Sequence, residues 1–556
     1  MTRTLFDPPK PRGLTLRDYQ AADCDEICRQ WESGNNRVLC VHSTGLGKSV
    51  IAAELSGRKP LGTRALVVVD STDLAADLFR TCQKHLGRKP GILTGDFKEN
   101  FDADVLIATK QCLCAGERYK TLDVSQISRV IVDECEAALA NEYVALMQHL
   151  LESNPFLHVV GLTATPLPAS NRSISDLFSH AASEPGPLYR DLQWAYLNGW
   201  LVKPMQGILR CSMDFSTLKV RKTESGEKDY SDKDIAKLMM EQDEREWLEL
   251  AGGIYQISKG HTAIVVCPNS TEVADKLAAY IEGAGREHGQ RGVAHAIHRK
   301  LGQQKSWDMM RRFKSGEFPV AVSVRMFEKG FDYDRVNMVI MVRRTKSLRL
   351  YTQCAGRGTR PLKEIRPALG AESDPKSRMR IIAESAKPHC VIVDCVGIND
   401  EAKDILGVID ILGRGVREDI KERVRKMMIE RAKKPPKEPN GQPREEEVAI
   451  DVGDEARAAK RQLQDEYERE ERARISARVE TYFELDNPRR TGPGAVRLAK
   501  QRGARMPFGK HKGALVKDLS TGYLKTLREK CEIKTKWLAS AIDSELKNRG
   551  VKVTTV

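Results

Sequence analysis

RVLCVHSTGLGKSVIAAELS, residues 37–56, decides how the rest of the chain is read. A short apolar run at 37–41 enters a turn with two glycines, and a helix-forming stretch follows directly. A buried strand feeding a glycine-rich turn and then a helix is the repeating unit of a parallel sheet covered by helices. The same alternation recurs in RALVVVD (64–70), DVLIAT (104–109), RVIVDE (129–134) and HVVGLTAT (158–165). A second series follows in TAIVVC (262–267), FPVAVSV (318–324), VNMVIMV (336–342) and HCVIVDCVG (389–397). Two α/β parallel-sheet domains in tandem are therefore expected.

The turn carries its own chemistry. Backbone N–H groups in the loop Ser43, Thr44, Gly45, Leu46, Gly47, Lys48 and Ser49 point inward and, with the N-terminus of the following helix, cradle a polyphosphate. Lys48 would neutralise the β and γ phosphates, and Ser49 would hold Mg²⁺. In VIVDECEA (130–137), a buried strand delivers Asp133 and Glu134 to its carboxyl end, the edge where open parallel sheets bind ligands. Asp133 is suited to hold Mg²⁺ through water, and Glu134 to orient and deprotonate an attacking water. GLTATP (161–166) ends another strand of the same series, so the hydroxyls of Thr163 and Thr165 are expected to couple the hydrolysis site to a domain interface. Far downstream, YTQCAGRGTRP (351–361) places Gln353, Arg357 and Arg360 on one helical face, with Gly356 between them. Guanidinium forks match the spread charge of a phosphoryl transition state. A phosphate loop in one domain and an arginine pair in the other imply ATP held between the two.

Bulk properties set the frame. A chain of 556 residues is too long for one core and suggests three to four domains of about 150 residues each. No apolar run approaches the ~20 residues that span a bilayer, and the opening MTRTLFDPPKPRG has no apolar stretch, so no membrane association and a cytoplasmic location are expected. The 13 cysteines include no CxxC pair; the nearest neighbours are Cys24 with Cys28 and Cys112 with Cys114, so no zinc is expected. Of the net charge of +14, residues 488–556 carry 17 Lys or Arg against 5 Asp or Glu, which leaves only +2 for everything before them. The body of the chain must therefore grip a polyanion through local patches.

The expected organisation is a first ATP-binding domain at 1–187, a connector at 188–245, a second domain at 246–415, a charged helical linker at 416–487 and a small basic α+β module at 488–556. Within the connector, the polar stretch KVRKTESGEKDYSDKD (219–234) reads as an exposed loop. A polar, basic insertion at 363–388 precedes the last strand of the second domain. The mixed-charge stretch 454–483 reads as a long solvated helix, and the Pro-rich segment before it as a linker.

With these four motifs in this order, roughly the first 415 residues resemble superfamily 2 helicases of the DEAD/DEAH class. The resemblance implies two RecA-like domains, ATP and Mg²⁺ as ligands, and a nucleic-acid track. It also assigns residues: Arg17 and Gln20 in LTLRDYQ to adenine recognition, Ser71 and Thr72 in DSTDLAADL and Thr109 and Gln111 in IATKQCL to strand contacts. Gly330 and Asp332 in SVRMFEKGFD fall near the nucleotide by the same likeness. Glu136 stands where the class usually has histidine. Within the class, DEC-E, GLTATP, LYRDLQWAYLNGWLVKP with DFSTL and SDKDI, and RRTKSLRLYTQCAGRGTRPL resemble RadD-like DNA-repair ATPases. Those proteins carry a cysteine-rich zinc region at the C-terminus, which this chain lacks. RMPFGKHKGALVKDLSTGYLKTLREK (505–530) instead resembles the MPFGKxKG module appended to exonuclease X-like proteins. It places Phe508, Lys510, His511 and Lys512 on an exposed turn, with Lys510 and Lys512 expected to dock DNA.

The function these readings converge on is an ATP-dependent DNA helicase or translocase working in repair, recombination or replication. Single-stranded or branched duplex DNA is the expected partner, with a single-strand-binding or nuclease protein beside it, in a bacterial cell or a phage-infected host. The competing readings are the motor of a restriction or nuclease system, an RNA helicase, and a non-catalytic scaffold. REEEVAIDVGDE (444–455) lacks the Asp then Glu-x-Lys arrangement of a nuclease in cis, and the complete ATP motifs disfavour the scaffold.

Overall fold

The structure is a computed structural model, in which residues 15–58, 64–136, 141–165, 177–178, 187–222, 228–324, 333–401, 405–412, 416–432, 515–530 and 536–551 are described. It divides into two compact units, Met1–Ala456 and Arg457–Val556.

The first unit holds two RecA-like parallel sheets. The strands of the first are β1 (Arg37–His42), β2 (Arg64–Val69), β3 (Gly91–Leu93), β4 (Lys98–Glu99), β5 (Val105–Thr109), β6 (Ile127–Asp133), β7 (His158–Thr163) and β8 (Tyr189–Arg190). They lie in the order β4-β3-β5-β2-β6-β7-β1-β8, parallel except for the β3–β4 pair. Alternate residues feed two cores. Ala65, Val67 and Val69 of β2 face one with Ile27, Trp31 and Ile51, while Leu66 and Val68 face the other with Leu146 and Leu150. Burial on both faces is why these strands read as continuous apolar runs rather than alternating ones. The order β6-β7-β1 has a direct consequence: the phosphate loop, the acidic pair and Thr163 all leave the same edge, from adjacent parallel strands.

The second sheet contains β9 (Lys203–Arg210), β12 (Ala263–Val266), β13 (Ala294–Ile297), β14 (Val320–Ser323), β15 (Met338–Met341) and β16 (His389–Val396), in the order β13-β14-β12-β15-β16-β9 and all parallel. Strand β9 comes from the segment expected to be a connector. It pairs with β16 along its whole length, from Lys203 opposite His389 to Arg210 opposite Val396. Its sequence, KPMQGILR, hides it: Pro204 and Gly207 argue against a strand, and both are tolerated because β9 is an edge.

Within the stretch expected as an exposed loop at 219–234, the described residues form two strands and the start of a helix instead. Strands β10 (Val220–Lys222) and β11 (Lys228–Tyr230) form an antiparallel hairpin, and Ser231 caps the helix Asp232–Met240 by accepting the Asp234 N–H at 3.4 Å. Dense charge masked the pattern, because β10 is exposed along its length while Ile235 and Met239 of the helix are fully buried. The insertion at 363–388 folds into the helices Arg366–Ala371 and Pro375–Ala383. Of the charged linker, the helix Glu418–Ala432 is described; the Pro-rich segment and the stretch 454–483 lie outside the described residues.

In the second unit the helices Thr521–Lys530 and Lys536–Asn548 pack through Leu524, Leu527, Leu538, Ile542 and Leu546. Arg528 donates to Asp543 at 2.6 Å, and Arg549 Nη1 donates to the Leu519 carbonyl at 2.7 Å, tying the helices to the 3-10 turn Val516–Asp518.

Candidate nucleotide site

The loop after β1 turns through two left-handed glycines, Gly45 at φ 92° and Gly47 at φ 79°, before the helix Lys48–Gly57 begins. Gly47 is doubly constrained, since a Cβ there would lie 2.6 Å from Gln20 Nε2. Lys48 points its ammonium back under the loop, 3.4 Å from the His42 carbonyl and 3.5 Å from Glu134 Oε1. Ser43, Thr44 and Leu46 are buried, and Ser49 is partly so.

At the end of β6 the acidic pair is held in costly surroundings. Burial, then the charge of Glu134, pushes the Asp133 carboxyl well above the usual carboxylate range, with Lys48 pulling the other way. Glu134 has φ 49°, a left-handed conformation rare outside glycine and of the kind that collects at functional sites. Two residues on, Glu136 is also pushed up by burial and by the Glu134 charge. Its carboxylate accepts from Thr163 Oγ1 at 2.6 Å, and Thr163 Oγ1 in turn accepts the Thr165 N–H at 3.0 Å. The acidic strand and the TAT turn are thus joined through Glu136, the position where the sequence departs from histidine. Among the described residues, Asp133 Oδ1, Ser43 Oγ and Thr165 Oγ1 are buried without a hydrogen-bond partner. Oxygens left bare in this way suit a hard divalent cation and a phosphate, so the residues present fit Mg²⁺.

The second sheet reaches the loop by way of the helix Leu348–Gly358. Gln353 and Arg357 are buried, at 5% and 6% exposure, and face inward together. A Cβ at Gly356 would sit 2.7 Å from Thr44 Cβ, and one at Gly45 would sit 3.2 Å from Arg360 Cγ. Only glycine at 356 lets this helix lie directly on the phosphate loop. Lys387 fixes the exit of the helix: its buried ammonium donates to the carbonyls of Arg360 at 2.7 Å and Asp334 at 2.6 Å. Burial lowers the Lys387 ammonium to about 8.

The upstream element is tied to the same loop. Tyr19 Oη and Gln20 Nε2 both donate to the Leu46 carbonyl, at 2.8 and 2.9 Å, while Gln20 Oε1 accepts the Arg17 N–H. The Arg17 guanidinium lies 5.0 Å from the Trp200 ring centre, and Arg378 from the insertion lies 4.2 Å from the same ring. Ser71, Thr72, Thr109 and Gln111 collect at the ends of the neighbouring strands β2 and β5. Ser71 Oγ caps the helix Thr72–Leu86, and Gln111 Nε2 donates to the Asp70 carbonyl at 2.9 Å. Gly330, Asp332, Lys510 and Lys512 lie outside the described residues, as do Phe508 and His511.

One cluster escaped the sequence reading altogether. His42, the last residue of β1, donates through Nε2 to Asp23 Oδ2 at 2.6 Å, and Arg190 grips both Asp23 oxygens at 2.5 Å. Burial works to raise the Asp23 carboxyl, but the bonds from His42 and Arg190 outweigh it and hold it below its ordinary value. The network braces the loop from behind. Three residues spread over 167 positions leave no local signal; the nearest hint is that Asp23 shares a helical face with Tyr19.

Residues 13–167 match the family described as type III restriction enzyme, res subunit, and residues 246–361 match the helicase conserved C-terminal domain. The Saccharomyces cerevisiae protein IRC3, described as an ATP-dependent helicase, is 23% identical over 411 residues, which is 71% of this chain and 54% of that protein. The ATP-dependent RNA helicase DHH1 of Debaryomyces hansenii is 23% identical over 377 residues, 64% of each chain. This chain thus spans between about half and two thirds of the length of these relatives. Among solved structures, Mycobacterium smegmatis helicase Lhr bound to ssDNA and AMP-PNP superposes with a TM-score of 0.43 at 18% identity, covering 67% of this chain and 45% of that one. Saccharomyces cerevisiae Dbp5 bound to RNA and ADP BeF3 gives 0.45 at 14% identity, covering 74% and 93%. Two matched segments thus lie in tandem, each on its own parallel sheet, as in an ATP-hydrolysing helicase of the superfamily 2 type.

Proposed function

We propose that the protein hydrolyses ATP between its two sheets and uses the cycle to move on, unwind or remodel DNA. One observation carries the reading: Gly356 of the second sheet's helix and Arg360, which lies two residues past the end of that helix rather than on its face as expected, lie against Thr44 and Gly45 of the phosphate loop. In this reading the loop 43–49 binds the polyphosphate, and Arg17 and Gln20 stand at the adenine end, with Gly330 and Asp332 near the nucleotide. Phosphate oxygens compete with Glu134 for the Lys48 ammonium, so arrival of ATP releases Glu134 to orient the attacking water and take its proton. Ser49 and Asp133 would hold Mg²⁺, which supplies positive charge beside the phosphates. Gln353, Arg357 and Arg360 meet the charge that develops on the transferred group, which makes closure of the two sheets depend on the γ phosphate. Thr163 and Thr165, through Glu136, carry that change toward the domain interface.

Ser71, Thr72, Thr109 and Gln111 form the strand-contacting edge, with Lys510 and Lys512 as a second basic contact. DNA as the track, and a role in repair, recombination or replication, are supported by the likeness to RadD-like ATPases. Two specific observations favour alternatives: relatives named as RNA helicases favour RNA, and the match to the restriction-subunit family favours the motor of a restriction or nuclease system. ATP turnover measured with single-stranded, duplex and forked DNA and with RNA, against a Lys48→Ala control, tests all three. Stimulation by DNA above RNA is the expected result. Stimulation by RNA alone would move the track to RNA, and no turnover with any of them would end the motor reading.

A further inference from the structure

Large apolar side chains stand exposed at several places, and their neighbours decide which could meet a polyanion. Phe97 and Phe101, at 46% and 45% exposure, flank the β4 edge, where Glu99 and Asp104 pair with Lys89 and Arg88 and where Asp96 and Asp102 outnumber Lys98. Trp307 differs. It is 56% exposed on the helix Gln303–Lys314, in a stretch, 299–314, that holds six lysines and arginines against one aspartate. Four of the six pair with carboxylates, Arg299 with Asp73, Lys300 with Glu272, Arg311 with Asp308 and Arg312 with Glu317, but these are surface pairs of small net worth, so a phosphate can compete for the cations. The helix is anchored by Ser306 and Phe313, both buried, so Trp307, Arg311 and Lys314 lie at i, i+4 and i+7 along its exposed side.

The placement of this helix gives the patch a direction. Four residues before it, Arg299 reaches across to the first sheet's domain and pairs with Asp73 at 3.2 Å, in the first turn of the helix that Ser71 caps. Gln111, Ser71, Thr72 and Arg299 therefore form a strip that crosses from one domain to the other, and the Trp307 helix begins four residues beyond Arg299.

We propose that Trp307, with Arg311 and Lys314 beside it, docks single-stranded nucleic acid on the second domain, the indole stacking on an unpaired base while the two cations hold flanking phosphates. Stacking on an aromatic ring tolerates any base, as a motor's track requires. The inference rests on the nucleic-acid-motor reading and adds to it a contact outside the assigned motifs.

The test is equilibrium binding of the full chain to a fluorescent dT20 strand and to a blunt 20-base-pair duplex, at several salt concentrations, with thermal midpoints checking the fold of each variant. Trp307→Ala is expected to weaken dT20 binding about tenfold and duplex binding much less, while Trp307→Phe stays within about threefold of wild type. Arg311→Gln with Lys314→Gln is expected to flatten the salt dependence on dT20 by a slope of about 1.4. Wild-type affinity in Trp307→Ala, or an equal loss on strand and duplex, would overturn the stack. Failure of the wild-type chain to bind any nucleic acid would instead strike the motor reading beneath it.

Discussion

The two parallel sheets are built alike, yet they bring opposite kinds of surface to the site between them. The eight-stranded sheet contributes strand ends and a loop: a left-handed Glu134, a buried Asp133 with a bare oxygen, and an ammonium already shared with a carboxylate. The six-stranded sheet contributes a helix whose Gln353 and Arg357 are buried and whose exit is clamped by Lys387. One side is uncomfortable until a charged ligand arrives; the other is a fixed template for it. In the proposed cycle, chemistry falls to the first side and closure to the second, and four perturbations can break or sharpen that contrast.

The largest effect is expected at Glu134. Glu134→Gln keeps the shape and the Lys48 contact but removes the base, so turnover should fall by about 10³ with ATP binding retained. Steady-state hydrolysis beside fluorescent-nucleotide titration checks this, and a matching loss of binding would mean that Glu134 serves the fold rather than the water.

Asp23→Ala attacks the first side from behind. It strands Arg190 and His42 in a buried setting, a change that costs about 3–5 kcal/mol. The melting midpoint should drop by roughly 10 °C. An unshifted midpoint would show that the loop needs no brace.

Lys387 tests the rigidity of the second side, and the sign is distinctive. Its folded value, about 8, lies below its ordinary 10.5, so the stability it contributes is present above the ordinary value and lost as pH falls through about 8. Against Lys387→Met, the wild-type chain should therefore gain ground as pH rises from 7 to 10, by up to about 1 kcal/mol per pH unit above 8. Denaturation at stepped pH reads it. A gap that is flat or shrinks with pH would remove the buried ammonium.

Much of this was legible in the sequence because the first sheet states its chemistry locally. Every strand expected from an apolar run is present; Asp133 and Thr163 end their strands, and Lys48 opens the helix after the loop that follows β1. What escaped notice was long-range or disguised. Strand β9 carries a proline and a glycine that only an edge tolerates, the β10–β11 hairpin hides in a charge run, and Asp23, His42 and Arg190 meet only after folding. Glu136 was visible as a departure from histidine, but its bond to Thr163 was not. On the second side the sequence offered the arginines without the reason they can reach the loop, which is the close approach at Gly356.

The most direct measurement is kcat and KM for ATP of Arg360→Ala beside wild type, at saturating nucleic acid. If ATP reacts between the sheets, kcat falls by about 10³ while KM moves less than about tenfold. An Arg360→Ala enzyme turning over at the wild-type rate would contradict it, and would place the reaction on the first sheet alone.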